Sequence, residues 1–329
     1  MSNQLKSPYE RKSVLAIAVS RFGRIGVLMG GPSSEREISL KSGKAIYQAL
    51  QECGCQVSPI DIPSADPDEI ASLIREAAIQ VAFIALHGRL GEDGTIQKIL
   101  EDLNIPYIGS GVKASQIAIN KVLTQELLKK NKIPVPPFIP LHKKDSAAFD
   151  KIWNQFQGSK LVIKPAQEGS SIGISLVENK EDLGRALKTA FEYGDEVLIE
   201  RFVTGREFTV GILDEKVLPV IEIKPKNRFF DFNAKYEAGT TEYIVPAVLP
   251  PKTSARLQQI ALKTHQVIGC RHFSRVDVMM DEGQNPFVLE VNTIPGFTSM
   301  SLLPKAAGVA GLDFTQLCLK LLTLAYAKK

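Results

Sequence analysis

Arg275-Val-Asp277-Val-Met-Met280, a turn at Asp281-Glu-Gly-Gln-Asn-Pro286, and then Leu289-Glu290-Val-Asn292-Thr-Ile-Pro295-Gly296 carry the strongest signal in this chain. Both runs are rich in apolar and β-branched residues and are parted by turn formers, which predicts two antiparallel strands. Side chains alternate faces along a strand. Arg275 and Asp277 therefore share one face, and Glu290 and Asn292 share one face, while Val276, Val278, Leu289 and Val291 turn the other way into a core. If the two polar faces coincide, one patch holds a guanidinium, two carboxylates and an amide oxygen. Hard oxygen donors in that number suit Mg²⁺, which completes its octahedron with water and substrate phosphates. The competing reading is a solvated hairpin face with an Arg–Asp pair. The apolar setting of Arg275 and Asp277, and the Pro-Gly close behind Asn292, favour the metal.

A length of 329 residues exceeds one ordinary core and predicts two or three domains. The net charge of +4 is spread without a dense Lys/Arg block, so no nucleic-acid partner is expected. Cys53, Cys55, Cys270 and Cys318 lack Cys-x-x-Cys spacing and read as inert thiols in a reducing compartment. The four histidines show no His-x-x-x-His pattern, which argues against zinc. No apolar run approaches the roughly 20 residues of a membrane span, so no membrane partner is expected. Arg11-Lys12 before Val14–Val19 imitates a signal peptide, but the apolar run is short and Arg21 and Arg24 follow at once. Residues 1–23 read as an N-terminal extension, as an upstream start codon would produce, rather than a secretion signal.

From residue 24 onward strands alternate with helical segments. Strands are predicted at 24–31, 56–61, 81–86 and 106–109, with helices at 39–52, 67–78 and 94–103, which implies a parallel sheet with helices on its faces. One helix is predicted over 115–131. Ile133-Pro-Val-Pro-Pro-Phe-Ile-Pro140 cannot be helix interior and reads as an extended connector at a domain boundary. Beyond it come strands at 161–164, 173–177 and 196–202 around a helix at 180–192. Antiparallel strands at 207–213 and 216–224, a helix at 254–269, the opening hairpin and a helix from Asp313 complete the chain.

A Mg²⁺ patch without a nucleophile pair suggests phosphoryl transfer. The P-loop pattern is absent, since Gly43-Lys44 is followed by Ala45. Gly109-Ser-Gly111-Val-Lys-Ala114 matches a dinucleotide fingerprint but follows the fourth strand and has no acidic strand end about 20 residues on, so hydride transfer is disfavoured. Glu168-Gly169-Ser170-Ser171-Ile-Gly173, directly behind Lys164-Pro165, is the better phosphate cradle, because its glycines let backbone N–H groups approach anionic oxygens. Lys121 and Lys164 could add point charges, although a lone lysine is more often solvated. Glu200 ends an apolar strand and could accept an adenine amino group, or be a strand-end surface charge.

These segments together resemble the D-alanine:D-alanine ligase family of the ATP-grasp superfamily. The resemblance runs from Arg24 to Ala325 and rests on GGPSSEREISL, IALHGRLGEDG, EGSSIG, AKY, SRVDVM and LEVNTIPGFTSMS, in the family's order. It implies an α/β ATP-grasp fold of three domains: an N-terminal Rossmann-like parallel-sheet domain at 24–120, and two α+β domains gripping ATP, central at 121–205 and C-terminal at 206–329. It implies that ATP phosphorylates one D-alanine and that the amine of a second attacks the acylphosphate, in the cytoplasm, for peptidoglycan precursors. Glu35 would hold the first D-alanine's ammonium and His87 would lie near its carboxylate. Ser170 and Tyr236 would form a clasp with Glu35 under a lid at 228–240. Lys121, Lys164 and Lys235 would contact phosphates. Glu200, with the backbone of Arg201 and Val203, would bind adenine, and Glu207 the ribose. Asp277, Glu290 and Asn292 would hold two Mg²⁺, with Mn²⁺ as a substitute. Arg275 and the Gly296 N–H would stabilise the oxyanion, and Ser301 with the Leu302 N–H would receive the second carboxylate. A homodimer is expected on the resemblance alone.

Two features depart from the family pattern. The lid segment Phe229-Phe-Asp-Phe232-Asn233-Ala-Lys-Tyr236 has phenylalanines where many relatives carry tyrosines and a Glu, and the N-terminal extension has no counterpart. A D-lactate-accepting ligase is the nearest alternative, and Tyr236 argues against it because those relatives commonly carry histidine there. A biotin-carboxylase-like enzyme lacks the settings of Glu35 and Tyr236, and a non-enzymatic nucleotide sensor would not need Arg275 or Ser301.

Overall fold

The computed structural model describes residues 21–145, 149–225 and 241–326. Contacts divide the chain into two compact units, one of Met1–Val112 with Ile294–Lys329 and one of Lys113–Thr293.

The first unit opens with β1 (Ile25–Gly30), α1 (Arg36–Glu52), β2 (Val57–Ile62), α2 (Pro67–Glu76), β3 (Val81–Ile84), α3 (Thr95–Asp102) and β4 (Tyr107–Ile108). The strands form a parallel sheet in the order β2-β1-β3-β4. Every residue of β1 and β3 is buried, as expected of strands covered on both faces. Asp66 starts α2 by accepting the Asp68 and Glu69 N–H groups, with Pro67 in the first turn, where its missing N–H costs nothing. α1 lies so close to β1 that a Cβ on Gly43 would stand 2.5 Å from the Met29 Cβ. Gly43 is thus a packing residue. Ser39 ties the same helix to two strand ends, accepting the Gly30 N–H at 2.8 Å and donating to the Ala85 carbonyl at 2.9 Å.

In the second unit the helix predicted at 115–131 is two helices, α4 (Val112–Ile119), which begins at the boundary between units, and α5 (Lys121–Lys130). Asn120 breaks them with an extended backbone, and its side chain caps α5 by accepting the Val122 and Leu123 N–H groups. An apolar period runs smoothly across such a break, whereas a capping Asn competes for backbone donors locally. β5 (Phe138–His142) starts inside the proline-rich connector, and Pro140 is tolerated because β5 is an edge strand. After α6 (Phe149–Gln155), which no sequence signal marked, come β6 (Leu161–Pro165), β7 (Ser175–Val177), α7 (Leu183–Ala190) and β8 (Glu196–Arg201). These strands form an antiparallel sheet, β5-β8-β6-β7.

β9 (Gly205–Leu213), β10 (Lys216–Val217), β11 (Ile221–Pro225), β12 (Thr241–Ile244), α8 (Pro251–Ile268), β13 (Phe273–Asp281) and β14 (Pro286–Asn292) complete this unit. The strand predicted over 216–224 is interrupted between β10 and β11, a stretch that contains Pro219. The second sheet runs β12-β11-β9-β13-β14, with β10 on β9. α8 packs Leu257, Ala261 and Ile268 against Phe208, Val276, Val278 and Val288. Behind it, His265 Nδ1 pairs with Ser274 Oγ at 2.7 Å.

The opening hairpin pairs Arg275 with Asn292, Val276 with Val291 and Asp277 with Glu290, so the polar faces coincide as predicted. One assignment fails. The register shifts after Asp277, and Val278 pairs with Val288. Leu289 is the extra residue of a β-bulge, so Val288 takes the core position and Leu289 is only half-buried.

The chain then returns to the first unit as α9 (Leu302–Val309) and α10 (Phe314–Tyr326). α10 packs on α1 and β4 and buries Leu317, Leu321 and Leu322. Residues 294–329 therefore group with the N-terminal sheet, whereas the sequence reading assigned them to a C-terminal domain beginning at 206. The limit at residue 23 shifts too. Phe22 is buried, its carbonyl accepts the Tyr326 hydroxyl at 2.7 Å, and the two ring centroids lie 5.9 Å apart. Among the described residues no single helix is long and apolar enough to cross a membrane.

Candidate active site

The second unit contains a cleft of about 770 Å³, lined from one side by Lys164 and the Glu200–Glu207 segment, and from the other by Asp277, Met279, Leu289 and Glu290. The bulge turns Leu289 toward this cleft, opposite the direction that simple alternation assigns. Lys164 and Glu200 form a buried ion pair, Nζ to Oε2 at 2.6 Å. The other carboxylate oxygen, Glu200 Oε1, is buried without a hydrogen-bond partner among the described residues. Such an acceptor costs free energy until a donor satisfies it, so an amino group entering the cleft is favoured there. The Arg201 N–H is committed to the Pro137 carbonyl at 2.9 Å and the Phe202 N–H to the Lys160 carbonyl at 2.8 Å. The Val203 N–H follows them outside the strand, with no backbone acceptor among the described residues. Glu207 lines the same cleft.

On the hairpin face Arg275 grips Asp277 bidentately, Nε to Oδ1 at 2.9 Å and Nη2 to Oδ2 at 2.7 Å. Asp277 is 5% exposed and is further oriented by the Thr209 hydroxyl at 2.5 Å and by Asn292 Nδ2 at 3.2 Å. Thr209 was not singled out from the sequence, although its spacing of two from Glu207 puts both on one face of β9. Glu290 sits directly across the ladder from Asp277. Two carboxylates and one amide oxygen on one face form a hard-oxygen set that fits Mg²⁺. Lys121, buried at the start of α5, donates from Nζ to the Glu168 carbonyl, which ties it to the Gly/Ser loop. In that loop Ser170 and Ser171 have φ of +51° and +61°, and Gly173 of +70°. Successive left-handed residues cost a non-glycine backbone strain, which the surrounding structure must outweigh.

In the first unit Glu35 is the N-cap residue of α1 and is 9% exposed. Gly88, at φ +64°, leaves room for it, since a Cβ there would stand 2.7 Å from Glu35 Oε2. His87 has both ring nitrogens engaged, Nδ1 with the Ile294 carbonyl at 3.0 Å and Nε2 with Ser42 Oγ at 3.1 Å. Ser301 Oγ accepts the Thr298 N–H at 3.0 Å and shares a hydrogen bond with Thr298 Oγ1. It lies 3.5 Å from where a Cβ on Gly296 would be. Leu302 is the first residue of α9, so its N–H is one of those with no intrahelical acceptor. Lys235 and Tyr236 lie outside the described residues.

A family model for the D-ala D-ala ligase C-terminus matches residues 127–323, and one for the N-terminus matches 24–71 and 64–110. The chain belongs to the D-alanine–D-alanine ligase family. It is 45% identical to a D-alanine–D-alanine ligase of Syntrophotalea carbinolica over 93% of this chain and 97% of that protein. A ligase of the same name from Geobacter sulfurreducens is also 45% identical, covering 93% and 95%. Among solved structures, the Bacillus anthracis D-alanine–D-alanine ligase complexed with ATP superposes with a TM-score of 0.81 at 34% identity, over 92% of this chain and 97% of that one. The VanG D-Ala:D-Ser ligase from Enterococcus faecalis gives 0.80 at 29% identity, over 92% and 99%. The ATP-grasp fold expected of a D-alanine–D-alanine ligase is thus the fold of this chain.

Proposed function

We propose that this chain joins two D-alanine molecules into D-alanyl-D-alanine, consuming ATP through an acylphosphate, and so supplies peptidoglycan precursors in the cytoplasm. The observation that carries this reading is 45% identity to D-alanine–D-alanine ligases over 93% of the chain. ATP occupies the cleft of the second unit. Glu200 Oε1 accepts from the adenine amino group, the Val203 backbone pairs with the ring, and Arg201 contributes at most its remaining backbone group. Glu207 binds the ribose, and Lys121, Lys164 and Lys235 neutralise phosphate charge. Asp277, Glu290 and Asn292 hold Mg²⁺, which when bound offsets charge on the transferring phosphoryl group. Phosphoryl transfer asks a protein for positioning and cations, and the cleft supplies both.

In the first unit Glu35 holds the ammonium of the first D-alanine. The Gly296 N–H stabilises the oxyanion that forms when the second amine attacks, a role also assigned to Arg275 on the chain's resemblance to the family. Ser301 and the Leu302 N–H receive the second carboxylate, a fitting place for an anion at a helix start. Ser170 and the Lys235-Tyr236 pair help to exclude water from the acylphosphate. The chain acts as a homodimer, as its resemblance to the family implies.

The relative named for D-serine makes acceptor choice the sharpest test. A competition assay offers D-alanine, D-serine and D-lactate with ATP, and resolves the products by mass across about pH 6–9. Wild type is expected to make mostly D-alanyl-D-alanine at neutral pH, and mostly depsipeptide would overturn the assignment. Tyr236→His introduces a group with an ordinary pKa near 6.5 that repels an ammonium when protonated. That variant should shift toward depsipeptide, most strongly at acidic pH.

A further inference from the structure

Four buried groups in the first unit form a chain of hydrogen bonds whose directions are all determined once the ring is neutral. The Ile294 carbonyl can only accept, so His87 Nδ1, 3.0 Å away, must carry the ring proton. His87 Nε2 is then the acceptor of the neutral ring, and Ser42, 3.1 Å away, must donate its hydroxyl to it. The Ser42 oxygen in turn accepts the Phe297 N–H at 3.1 Å. Ser42, His87, Ile294 and Phe297 are each no more than 5% exposed, so water does not compete for these bonds. The two backbone groups held by this pair, the Ile294 carbonyl and the Phe297 N–H, flank Pro295-Gly296 on either side. The His87 carbonyl also accepts the Ser33 hydroxyl at 2.8 Å, and Ser33 Oγ accepts the Glu35 N–H at 3.2 Å.

We propose that Ser42 and His87 are positioning residues, a strut that fixes the Pro295-Gly296 segment and so aims the Gly296 N–H, with His87 held as the Nδ1–H tautomer. This rests on the reading of the Gly296 N–H as an oxyanion donor. The His87 ring thereby acts on the backbone, and a bond from its nitrogens to a substrate carboxylate would have to break one of the two it already makes. A preorganised donor works because its orientation costs nothing at the moment of reaction. Both ends of the Pro295-Gly296 segment are pinned by one side-chain pair, and the same histidine's carbonyl reaches, through Ser33, the backbone of Glu35. No local pattern announces Ser42, since its partners lie 45 and 255 residues away.

Two measurements test this. Nitrogen-15 NMR of the imidazole rings at about pH 8, where an ordinary imidazole is neutral, reports the tautomer directly, with the His87 signal assigned by its loss in His87→Gln. The expected result is protonated Nδ1 and bare Nε2, the reverse of the tautomer that free histidine prefers in water. A ring protonated at Nε2 overturns the strut. Ser42→Ala removes the donor to His87 and the acceptor for Phe297. It should lower kcat on the order of 10–100-fold, as a displaced reacting group does, while KM for ATP and for the first D-alanine stays within about threefold. Ser42→Thr, which keeps the hydroxyl, should recover most of that loss. Unchanged kcat in a folded Ser42→Ala variant, or a loss confined to the D-alanine KM, overturns the proposal. If Ser42→Ala does not fold, the wild-type tautomer decides. Wild type failing to make D-alanyl-D-alanine would instead remove the functional reading, and the ring tautomer would still report whether the strut exists.

Discussion

The two units present their polar groups by different means. In the first, Ser33, Ser42, His87 and Ser301 are joined to backbone groups by neutral hydrogen bonds, many of them buried. In the second, charge dominates: Lys164 on Glu200, and Arg275 on Asp277 across from Glu290. Each unit also holds a buried histidine–serine pair, and the pairs do different things. His87–Ser42 ends on the backbone on either side of Pro295-Gly296, whereas His265–Ser274 braces α8 against the core face of β13. The chemistry of a side-chain pair is therefore a poor guide to its role, and what its remaining atoms reach is a better one. A neutral network suits a task of holding backbone still. A cleft with charges and a carboxylate oxygen left unsatisfied among the described residues gains from a ligand that completes it.

The contrast breaks first at Arg275. Arg275→Met should cost about 10²–10³ in kcat, roughly 2.7–4 kcal/mol, the usual effect of losing an oxyanion donor. Phosphate release by the folded variant measures it, and slowing of less than about threefold would reduce Arg275 to a partner of Asp277.

His265 sharpens the difference between the two histidines through stability. Burial lowers its pKa from the ordinary 6.5 to about 4, opposed by a smaller effect of Asp214. The unfolded chain takes up this proton below about pH 6.5 and the folded one does not until about pH 4. The stabilisation is therefore complete above about pH 6.5 and is lost as pH falls toward 4, to an extent of up to about 3 kcal/mol. Denaturant unfolding between pH 4 and 7 should show this slope in wild type and a shallower one in His265→Gln. Equal slopes would mean that His265 does not enter the fold neutral.

Glu290→Gln keeps shape and removes one anionic oxygen from the face shared with Asp277 and Asn292. The Mg²⁺ concentration for half-maximal rate should rise on the order of 10–100-fold, a loss seen even for groups one layer away from a metal. An unshifted Mg²⁺ titration would exclude Glu290 as a ligand. The smallest effect is expected at the base end of the cleft. Glu200→Gln offers an amide where Oε1 now accepts only, so selectivity for ATP over GTP should narrow by about tenfold, or 1.4 kcal/mol. Competition between the two nucleotides reads this ratio, and no change would place the base elsewhere.

Much of the fold was legible because its signals are local. The buried runs of β1 and β3, the Asp66-Pro67 helix start and the alternation of Arg275, Asp277, Glu290 and Asn292 each depend on neighbours a few residues away. What was missed shares one cause. The break at Asn120 trades helix continuity for a cap, and the bulge at Leu289 is a one-residue slip in pairing. Thr209, Met279 and Ser42 gain meaning only from partners brought in from distant strands and helices.

Local pattern was enough to say which segments are strands or helices, which faces are polar, and that the hairpin gathers carboxylates with an arginine. It could not say that residues 294–329 pack with the first sheet, that Leu289 faces a cleft, or which atoms the His87 ring binds. Backbone periodicity is written in side chains spaced two to four apart. The direction of a hydrogen bond between residues 42, 87, 294 and 297 exists only once the chain has closed on itself, with water gone and each buried donor made to find an acceptor.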